Sequence, residues 1–431
     1  MLRLALPIIQ AELGWMSMGL VDTLMVSPLG PSAIGAVGTG SILYLAVMVV
    51  GMGTLLALDT FVSQSYGAGR IDECHRWLFA GLQLAVVLTI VLTGLSLALI
   101  AALPSFGLHP DVLAYLQPYL SHLMWSTAPL LAYAVFRRYL QAMHVVRPVM
   151  YALVVANLVN LGLNWLLIEG HWGFPALGVV GSAWATVFSR IAMAGFLFAV
   201  IVYRERDRPS GLHDVPFALD PARMWRIVRL GVPAAGQTLL EVGVFAAASA
   251  LAGRIAPAAV AAHNIVLNVV GFIFMVPFGL GSAAAVRVGH GIGRGDRHAA
   301  RAAGWVAILI ALCVMTTSAI LFASVPAWLV GLFSADEAVI SIGVGLFLVA
   351  AVFQLFDGVQ AVATGALRGL GDTRTPLIVN FVGHWMIGLP LAYGLCFWYG
   401  WGAQGLWMGL ASGLIVTGSV LVVVWHRRNL F

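Results

Sequence analysis

The sequence predicts an all-α integral membrane protein whose twelve transmembrane helices form two six-helix bundles related by pseudo-twofold symmetry. Three observations lead to this fold class. Hydrophobic residues make up 61% of the 431 positions and charged residues 9%, against about 45–50% and about 25% in soluble domains. Twelve long apolar runs follow one another, and short sequence matches recur between the two halves of the chain.

The apolar runs are each long enough for a helix of about 20 residues to cross a bilayer. They lie at 4–27, 33–63, 77–103, 113–136, 148–169, 177–203, 226–253, 257–286, 302–332, 338–364, 376–398 and 402–425. The longest polar stretch, Tyr203 to Arg229, separates six runs from six. We therefore expect an amino-terminal lobe at 1–203, a cytoplasmic linker at 204–225 and a carboxy-terminal lobe at 226–431.

The arginines indicate the orientation in the membrane. They cluster in alternate connections, at 3, 70–76, 137–147, 204–229, 287–301, 368–374 and 427–428, whereas the intervening connections carry only Arg254. The positive-inside rule then predicts a multi-pass membrane protein with both termini and the linker in the cytoplasm. The first run continues from Leu4 to Met25 without a cleavage site, so no signal peptide is expected.

The composition also excludes several classes of function. All 22 basic residues are arginines spread between apolar runs rather than gathered on one face, so nucleic-acid binding is not expected. Cys74, Cys313 and Cys396 are isolated and lack metal-ligand spacing, so we expect no disulfide, no tightly bound metal and no cofactor. No nucleophile motif or pair of catalytic carboxylates is recognisable, which argues against an enzyme.

The internal repeat supports the two-bundle architecture. At an offset of 226 residues Pro7 matches Pro233 and Pro31 matches Pro257; at 224 residues, 67–70 matches 291–294 and Gly178-xx-Gly181 matches Gly402-xx-Gly405. A six-helix repeat predicts parallel halves related by an axis along the membrane normal, with the substrate path between them.

Four acidic residues, Glu12, Asp22, Glu241 and Asp357, lie inside apolar runs. A carboxylate at the centre of a membrane helix costs about 2.5–3.5 kcal/mol on insertion scales, so such residues usually face a cavity and bind a cation or carry a proton. The structural alternative for each is a neutral carboxyl group hydrogen-bonded between helices.

Helical spacing groups polar side chains around these acids. Asp22 shares a face with Trp15 and Met18, and three amides share a face of the fifth run: Asn157, Asn160 and Asn164. In the second half, Gln237 precedes Glu241 by one turn, and Gln354, Asp357 and Gln360 recur every three residues. We expect two sites, one in each lobe. His263 is read either as a proton relay beside Asn264 or as a hydrogen-bonded structural histidine.

The sequence resembles the multidrug and toxic-compound extrusion (MATE) family, most closely its NorM-type bacterial branch. The stretches that carry the likeness span nearly the whole chain: 18–23, 58–69, 160–165, 231–233 with Glu241, 356–360 and 367–376. The resemblance implies twelve helices around a V-shaped cleft and the export of organic cations, such as aromatic dyes and drugs, in exchange for Na⁺ or H⁺ across the bacterial inner membrane. We expect membrane lipids as further partners and a monomer.

The resemblance also implies roles for individual residues. Asp22 with Asn160 and Asn164 matches the family's amino-lobe substrate and proton site. Glu241 with Asp357 matches its cation site, to which we add Gln237 and Gln354. Glu12 departs from the family pattern and is an additional candidate acid. Whether the coupling ion is Na⁺ or H⁺ stays open, with a preference for Na⁺ from the resemblance.

The alternative function is a flippase for lipid-linked saccharides of the same broader superfamily. A flippase for such anionic lipids should line its cavity with arginine, and Arg190 is the one arginine near the middle of an apolar run. A membrane-embedded enzyme is a third and weaker reading. The natural substrate is not determined by the sequence, because an apolar cavity with a few acids suits many amphiphilic cations.

Overall fold

The computed structural model describes residues 1–207 and 210–428, and every element in that part of the chain is helical. The sixteen α-helices are α1 (Leu2–Val26), α2 (Pro31–Leu55), α3 (Ala57–Gly67), α4 (Ile71–Ala102), α5 (Pro110–Leu123), α6 (Thr127–Ala142), α7 (Arg147–Glu169), α8 (Val179–Asp207), α9 (Pro221–Ala252), α10 (Pro257–Gly293), α11 (Arg297–Ser324), α12 (Pro326–Gly331), α13 (Glu337–Leu370), α14 (Arg374–Asn380), α15 (Leu389–Tyr393) and α16 (Gly402–Arg427). Two π-helical stretches, Phe381–Gly388 and Gly394–Trp398, join α14 to α15 and follow α15. The predicted all-α membrane fold is confirmed.

Eleven helical segments in the described residues are long and apolar enough to cross a membrane. The fourth predicted run, 113–136, is instead divided into α5 and α6 by a 3₁₀ turn at Met124–Ser126. Pro129 lies in the first turn of α6 and has no N–H to donate to the carbonyl of Trp125, four residues earlier, so a continuous α-helix is interrupted there.

The chain forms two compact units. One, the amino unit, comprises Gln10–Ala235; the other, the carboxy unit, comprises Met1–Ile9 together with the residues from Gly236 onward. The chain passes between the units within α1 and within α9, whereas the lobe boundaries expected from the sequence kept each of these helices whole. Those lobe boundaries remain a prediction.

Glycine lets helices approach closely inside the carboxy unit, as expected where van der Waals packing rather than hydrophobicity drives helix association. A Cβ atom on Gly281 of α10 would lie 2.7 Å from the carbonyl oxygen of Ala361 on α13, and one on Gly365 would collide with the backbone of Gly281. The close contact between α10 and α13 therefore requires glycine at positions 281 and 365. These two helices also carry several of the polar residues described below.

The predicted linker is ordered against the amino unit in its described part. Arg208 and Pro209 lie outside the described residues. The Glu205 carboxylate accepts hydrogen bonds from the backbone N–H groups of Ser210 and Leu212 at 2.9–3.0 Å. Farther along, the Gln83 amide donates to the carbonyl of Ala218 at 2.8 Å and accepts from the N–H of Asp220 at 3.2 Å.

Candidate functional site

Asp22 of α1 is the centre of a buried polar cluster in the amino unit. Its Oδ1 accepts hydrogen bonds from the Nδ2 atoms of Asn160 at 2.9 Å and of Asn164 at 2.7 Å. Asn164 also donates to Oδ1 of Asn160 at 3.1 Å. Asn160 and Asn164 are one turn apart on α7, so their amides project from the same face, and both are fully buried.

Helix α8 contributes two further residues that the sequence did not single out as site residues. Thr186 Oγ1 donates to the second carboxylate oxygen of Asp22 at 3.0 Å. Arg190, one turn later, acts electrostatically on Asp22. Their spacing of four residues within a long apolar run places both side chains on one helix face, and this spacing could have identified them from the sequence.

Arg190 is held by groups that fix its position beside Asp22. Its Nη1 donates to Ser126 Oγ at 2.5 Å, and its guanidinium lies 4.9 Å from the ring centre of Tyr44 and 5.7 Å from that of Trp15. The arginine is 8% exposed. Asp22 therefore has three hydrogen-bond donors and a nearby cation. Protonation of this carboxylate removes the charge that strengthens these hydrogen bonds, so protonation and rearrangement of the cluster are linked.

Glu12 and Asn157 lie outside the Asp22 cluster. The Nη2 atom of Arg137 forms a buried ion pair with Oε1 of Glu12. Asn157 instead donates to the carbonyl oxygens of Gly14 at 3.0 Å and of Leu153 at 2.9 Å. The additional acid is thus neutralised by a partner of its own.

The sequence interpretation assigned Arg137 and Arg138 to a polar connection, but the structure places both in helix α6 and buries them. Arg138 pairs with Asp59 at 3.1 Å, and Arg137 and Arg138 are 3% and 5% exposed. The physical reason is that each guanidinium meets a carboxylate, which offsets the loss of hydration on burial.

The carboxy unit contains the second acidic cluster. The Gln360 Nε2 atom of α13 donates to Glu241 Oε1 of α9 at 3.3 Å and to Asn380 Oδ1 at 3.1 Å. The Asn380 amide is in turn anchored by the Pro376 carbonyl oxygen at 2.8 Å. Asn380, at the end of α14, was not identified from the sequence. Gln237 also interacts with Glu241, one turn later on α9.

Asp357 is 3% exposed, and the charged group that acts on it is Glu241. No arginine or histidine in the described part of the chain forms an ion pair with either acid. Gln354 is fully buried, and neither its Nε2 nor its Oε1 has a partner among the described residues; the same holds for Gln360 Oε1. Uncharged amides and unpaired carboxyl groups therefore surround this position.

His263 is a structural histidine in the carboxy unit. Trp407 Nε1 donates to its Nδ1 at 3.0 Å, so the ring proton is on Nε2, which lies 2.9 Å from Ser249 Oγ. Ser249 donates onward to the Phe245 carbonyl at 2.9 Å. This chain of donors fixes one neutral tautomer. Among residues 1–207 and 210–428, no group of three histidine, cysteine, aspartate or glutamate side chains has the arrangement of a metal site.

Comparison with known proteins adds the family. The MatE family model matches residues 7–166 and 233–394. The chain is 34% identical to the "Probable multidrug resistance protein NorM" of Mesorhizobium japonicum, covering 99% of this chain and 93% of that protein. It is 35% identical to the protein of the same description from Pseudomonas aeruginosa, covering 100% and 89%.

Solved structures show the same fold. The eukaryotic MATE transporter AtDTX14 superposes with a TM-score of 0.89 at 21% identity, covering 100% of this chain and 95% of that one. A MOP superfamily transporter from Pyrococcus furiosus, described as having a binding pocket of reverse polarity, superposes with a TM-score of 0.89 at 18% identity, covering 99% and 94%. The family model covers most of the chain, and the chain therefore belongs to the MatE family of membrane transporters, not to an enzyme family.

Proposed function

We propose that this protein is a multidrug efflux transporter that exports small organic cations by antiport with Na⁺ or H⁺. Its relatives named for multidrug resistance support the efflux function. The observation that supports cation coupling is the pair Glu241 and Asp357, two interacting acids inside the carboxy unit without a basic partner among the described residues.

Electrostatics explains why this pair suits a coupling site. Two carboxyl groups that interact in a low-dielectric interior do not both stay ionised unless a cation lies between them or one takes up a proton. Binding or release of that cation changes the net charge of the carboxy unit by one elementary charge. If outward-facing and inward-facing states bind the ion with different affinity, ion binding shifts their equilibrium by that difference and no more.

The side chains around the pair favour Na⁺ over a proton alone. A hard cation takes several oxygen ligands. Besides the carboxylates, Gln360 and Gln354 carry buried amide oxygens with no hydrogen-bond donor among the described residues. These oxygens could complete a Na⁺ site with Glu241 and Asp357, whereas a proton would need one carboxylate only.

Asp22 is the proposed substrate and proton site of the amino unit. Its hydrogen bonds from Asn160, Asn164 and Thr186 can rearrange when the carboxylate gains a proton or meets a cationic substrate. The arginine distribution supports cytoplasmic termini, and the bacterial relatives support a location in the inner membrane. The proposal also includes that the protein acts as a monomer in contact with membrane lipids.

A flippase for lipid-linked saccharides is the alternative function. Its anionic substrate would need free arginines, but Arg137 and Arg138 are paired with carboxylates and Arg190 lies beside Asp22. The intramembrane charges described here thus favour cations over anionic lipids.

Efflux from proteoliposomes tests the function. The purified full chain is reconstituted, and release of ethidium is followed under a pure Na⁺ gradient and, separately, under a pure pH gradient of equal driving force. We expect Na⁺ to drive efflux more strongly than H⁺. Efflux under neither gradient, together with movement of a fluorescent polyprenyl-linked saccharide between leaflets, would replace this proposal by the flippase.

A further inference from the structure

A basic cavity lies between the end of α10 and the first turns of α11, within the carboxy unit, and the proposed transport cycle does not use it. Its volume is about 280 Å³. It is lined by Arg287, His290 and Arg294 from α10 and its end, and by Ala302, Ala303 and Val306 from α11. Positive charge therefore forms one wall and apolar side chains the other.

The two arginines of this cavity have no acidic partner in the part of the chain that the structure describes. Neither Arg287 nor Arg294 takes part in an ion pair, and the buried Nε of Arg287 has no hydrogen-bond partner. Asp296, the acid nearest in sequence, accepts a hydrogen bond from the N–H of Ala299 at 2.9 Å and caps α11. Among residues 1–207 and 210–428, the positive charge is thus not compensated by an acid.

Arg287 and Arg294 lie at the edge of an apolar helix bundle without an acidic partner, which favours the binding of an anion from outside the protein. The amino unit shows the contrast, because its buried Arg137 and Arg138 each meet a carboxylate. Arg294 is exposed and Arg287 is half-buried. The part of the Arg287 guanidinium that is buried, including its Nε, loses hydration and gains no attraction in return. A phosphate group would supply that attraction, since arginine binds phosphate oxygens in a bidentate manner.

The apolar wall identifies the kind of phosphate. From Ala299 to Val306, α11 extends about 10 Å along its axis at about 1.5 Å per residue. Ala302 and Val306 are exposed and Ala303 is half-buried on this side. A phosphate bound at Arg287 and Arg294 would let an acyl chain run along these residues. A free phosphate ion would leave the apolar wall unused.

We propose that this cavity binds the headgroup of an anionic phospholipid, with the phosphate on Arg287 and Arg294 and an acyl chain along α11. Basic pockets between membrane helices are a recurring form of headgroup recognition. The glycine-rich run 289–295 is not a phosphate-binding loop, because α10 continues through Gly293. The arginine side chains, rather than backbone amides, carry the recognition.

Native mass spectrometry of the detergent-solubilised full chain tests the site. Dioleoyl phosphatidylglycerol should bind at least about tenfold more tightly than dioleoyl phosphatidylcholine, and Arg287→Gln or Arg294→Gln should remove about tenfold of that affinity, the loss expected for one charge-assisted hydrogen bond. Arg254→Gln is the matched control, because Arg254 is exposed at the other end of α10, and it should keep wild-type binding.

A second variant tests the apolar wall without changing charge. Ala303→Trp should fill the groove and weaken phosphatidylglycerol binding even if an arginine variant fails to fold. Equal binding of the two lipids, or wild-type binding by Arg287→Gln and Ala303→Trp, would overturn the proposal. Displacement of the lipid by an equal concentration of inorganic phosphate or glycerol 3-phosphate would also overturn it, in favour of a site for soluble anions.

Discussion

The two units differ in the side chains that lie next to their buried acids. In the described part of the amino unit three of the four buried acids lie with an arginine: Glu12 with Arg137, Asp59 with Arg138 and Asp22 with Arg190. The fourth, Glu205, accepts hydrogen bonds from the N–H groups of Ser210 and Leu212. In the carboxy unit Glu241 and Asp357 interact with each other and with neutral amides. Acids that the fold neutralises can be structural, whereas acids that it leaves uncompensated need an external cation.

Asp22 is intermediate in this comparison and gives the largest expected effect. Arg190 forms no direct ion pair with Asp22, and three neutral side chains donate hydrogen bonds to the carboxylate oxygens of Asp22. Asp22→Asn removes the charge and the ability to take up a proton, so ion-coupled efflux should fall to the level of protein-free liposomes while the thermal melting temperature stays near that of the wild type. Full drug resistance in cells that express this variant at the normal level would refute the role.

The Glu12–Arg137 pair should affect stability rather than coupling. Arg137→Leu leaves the Glu12 carboxylate buried without a partner, which we expect to cost about 3–5 kcal/mol of unfolding free energy. The double variant Glu12→Leu with Arg137→Leu should recover most of that loss. Thermal melting in detergent measures both. If Glu12→Gln folded normally but lost ion dependence, Glu12 would belong with the coupling acids instead.

Thr186→Val sharpens the account of Asp22 by removing one of its three donors. A hydrogen bond to a charged group contributes about 1.5–3 kcal/mol, so we expect the efflux rate to fall about tenfold rather than to background. Thr186→Ser keeps the donor and serves as the control. An unchanged rate in Thr186→Val would indicate that this hydrogen bond is not part of the transport step.

Gln354→Leu has the smallest expected effect and separates the two coupling ions. It removes one amide oxygen that lacks a donor in the described residues. The Na⁺ concentration for half-maximal efflux should rise by about tenfold or less. Efflux driven by a pH gradient should not change, because a glutamine amide does not ionise and so does not carry the transported proton. An equal loss under both gradients would indicate a packing defect.

The fold and part of each site follow from the sequence for identifiable reasons. Apolar runs reveal membrane helices because the bilayer requires them. The proximity of Asn160 and Asn164 follows from their spacing on one helix face. Thr186 and Asn380 reach their partners from other helices, and no spacing rule predicts which polar side chain on a distant helix meets a given acid.

Arg137 and Arg138 show the limit of charge counting. The positive-inside rule uses the number of basic residues near helix ends and contains no information about partners. In sequence the two arginines look like solvated residues of a connection, but the structure buries them on Glu12 and Asp59. The break in the fourth run at Met124–Ser126 was missed for a different reason: the run was defined by its apolar composition, which does not take account of Pro129.

The central claim is that the uncompensated acids of the carboxy unit couple ion entry to efflux. Ethidium efflux from proteoliposomes containing Glu241→Gln or Asp357→Asn, each measured under a pure Na⁺ gradient and under a pure pH gradient, tests it most directly. Glu337→Gln is the control, because Glu337 is an exposed acid at the start of α13, the helix that carries Asp357. The account predicts that both site variants lose ion-driven efflux and that the control keeps it. Wild-type efflux by both site variants under both gradients would contradict the account and return the search for coupling to Asp22.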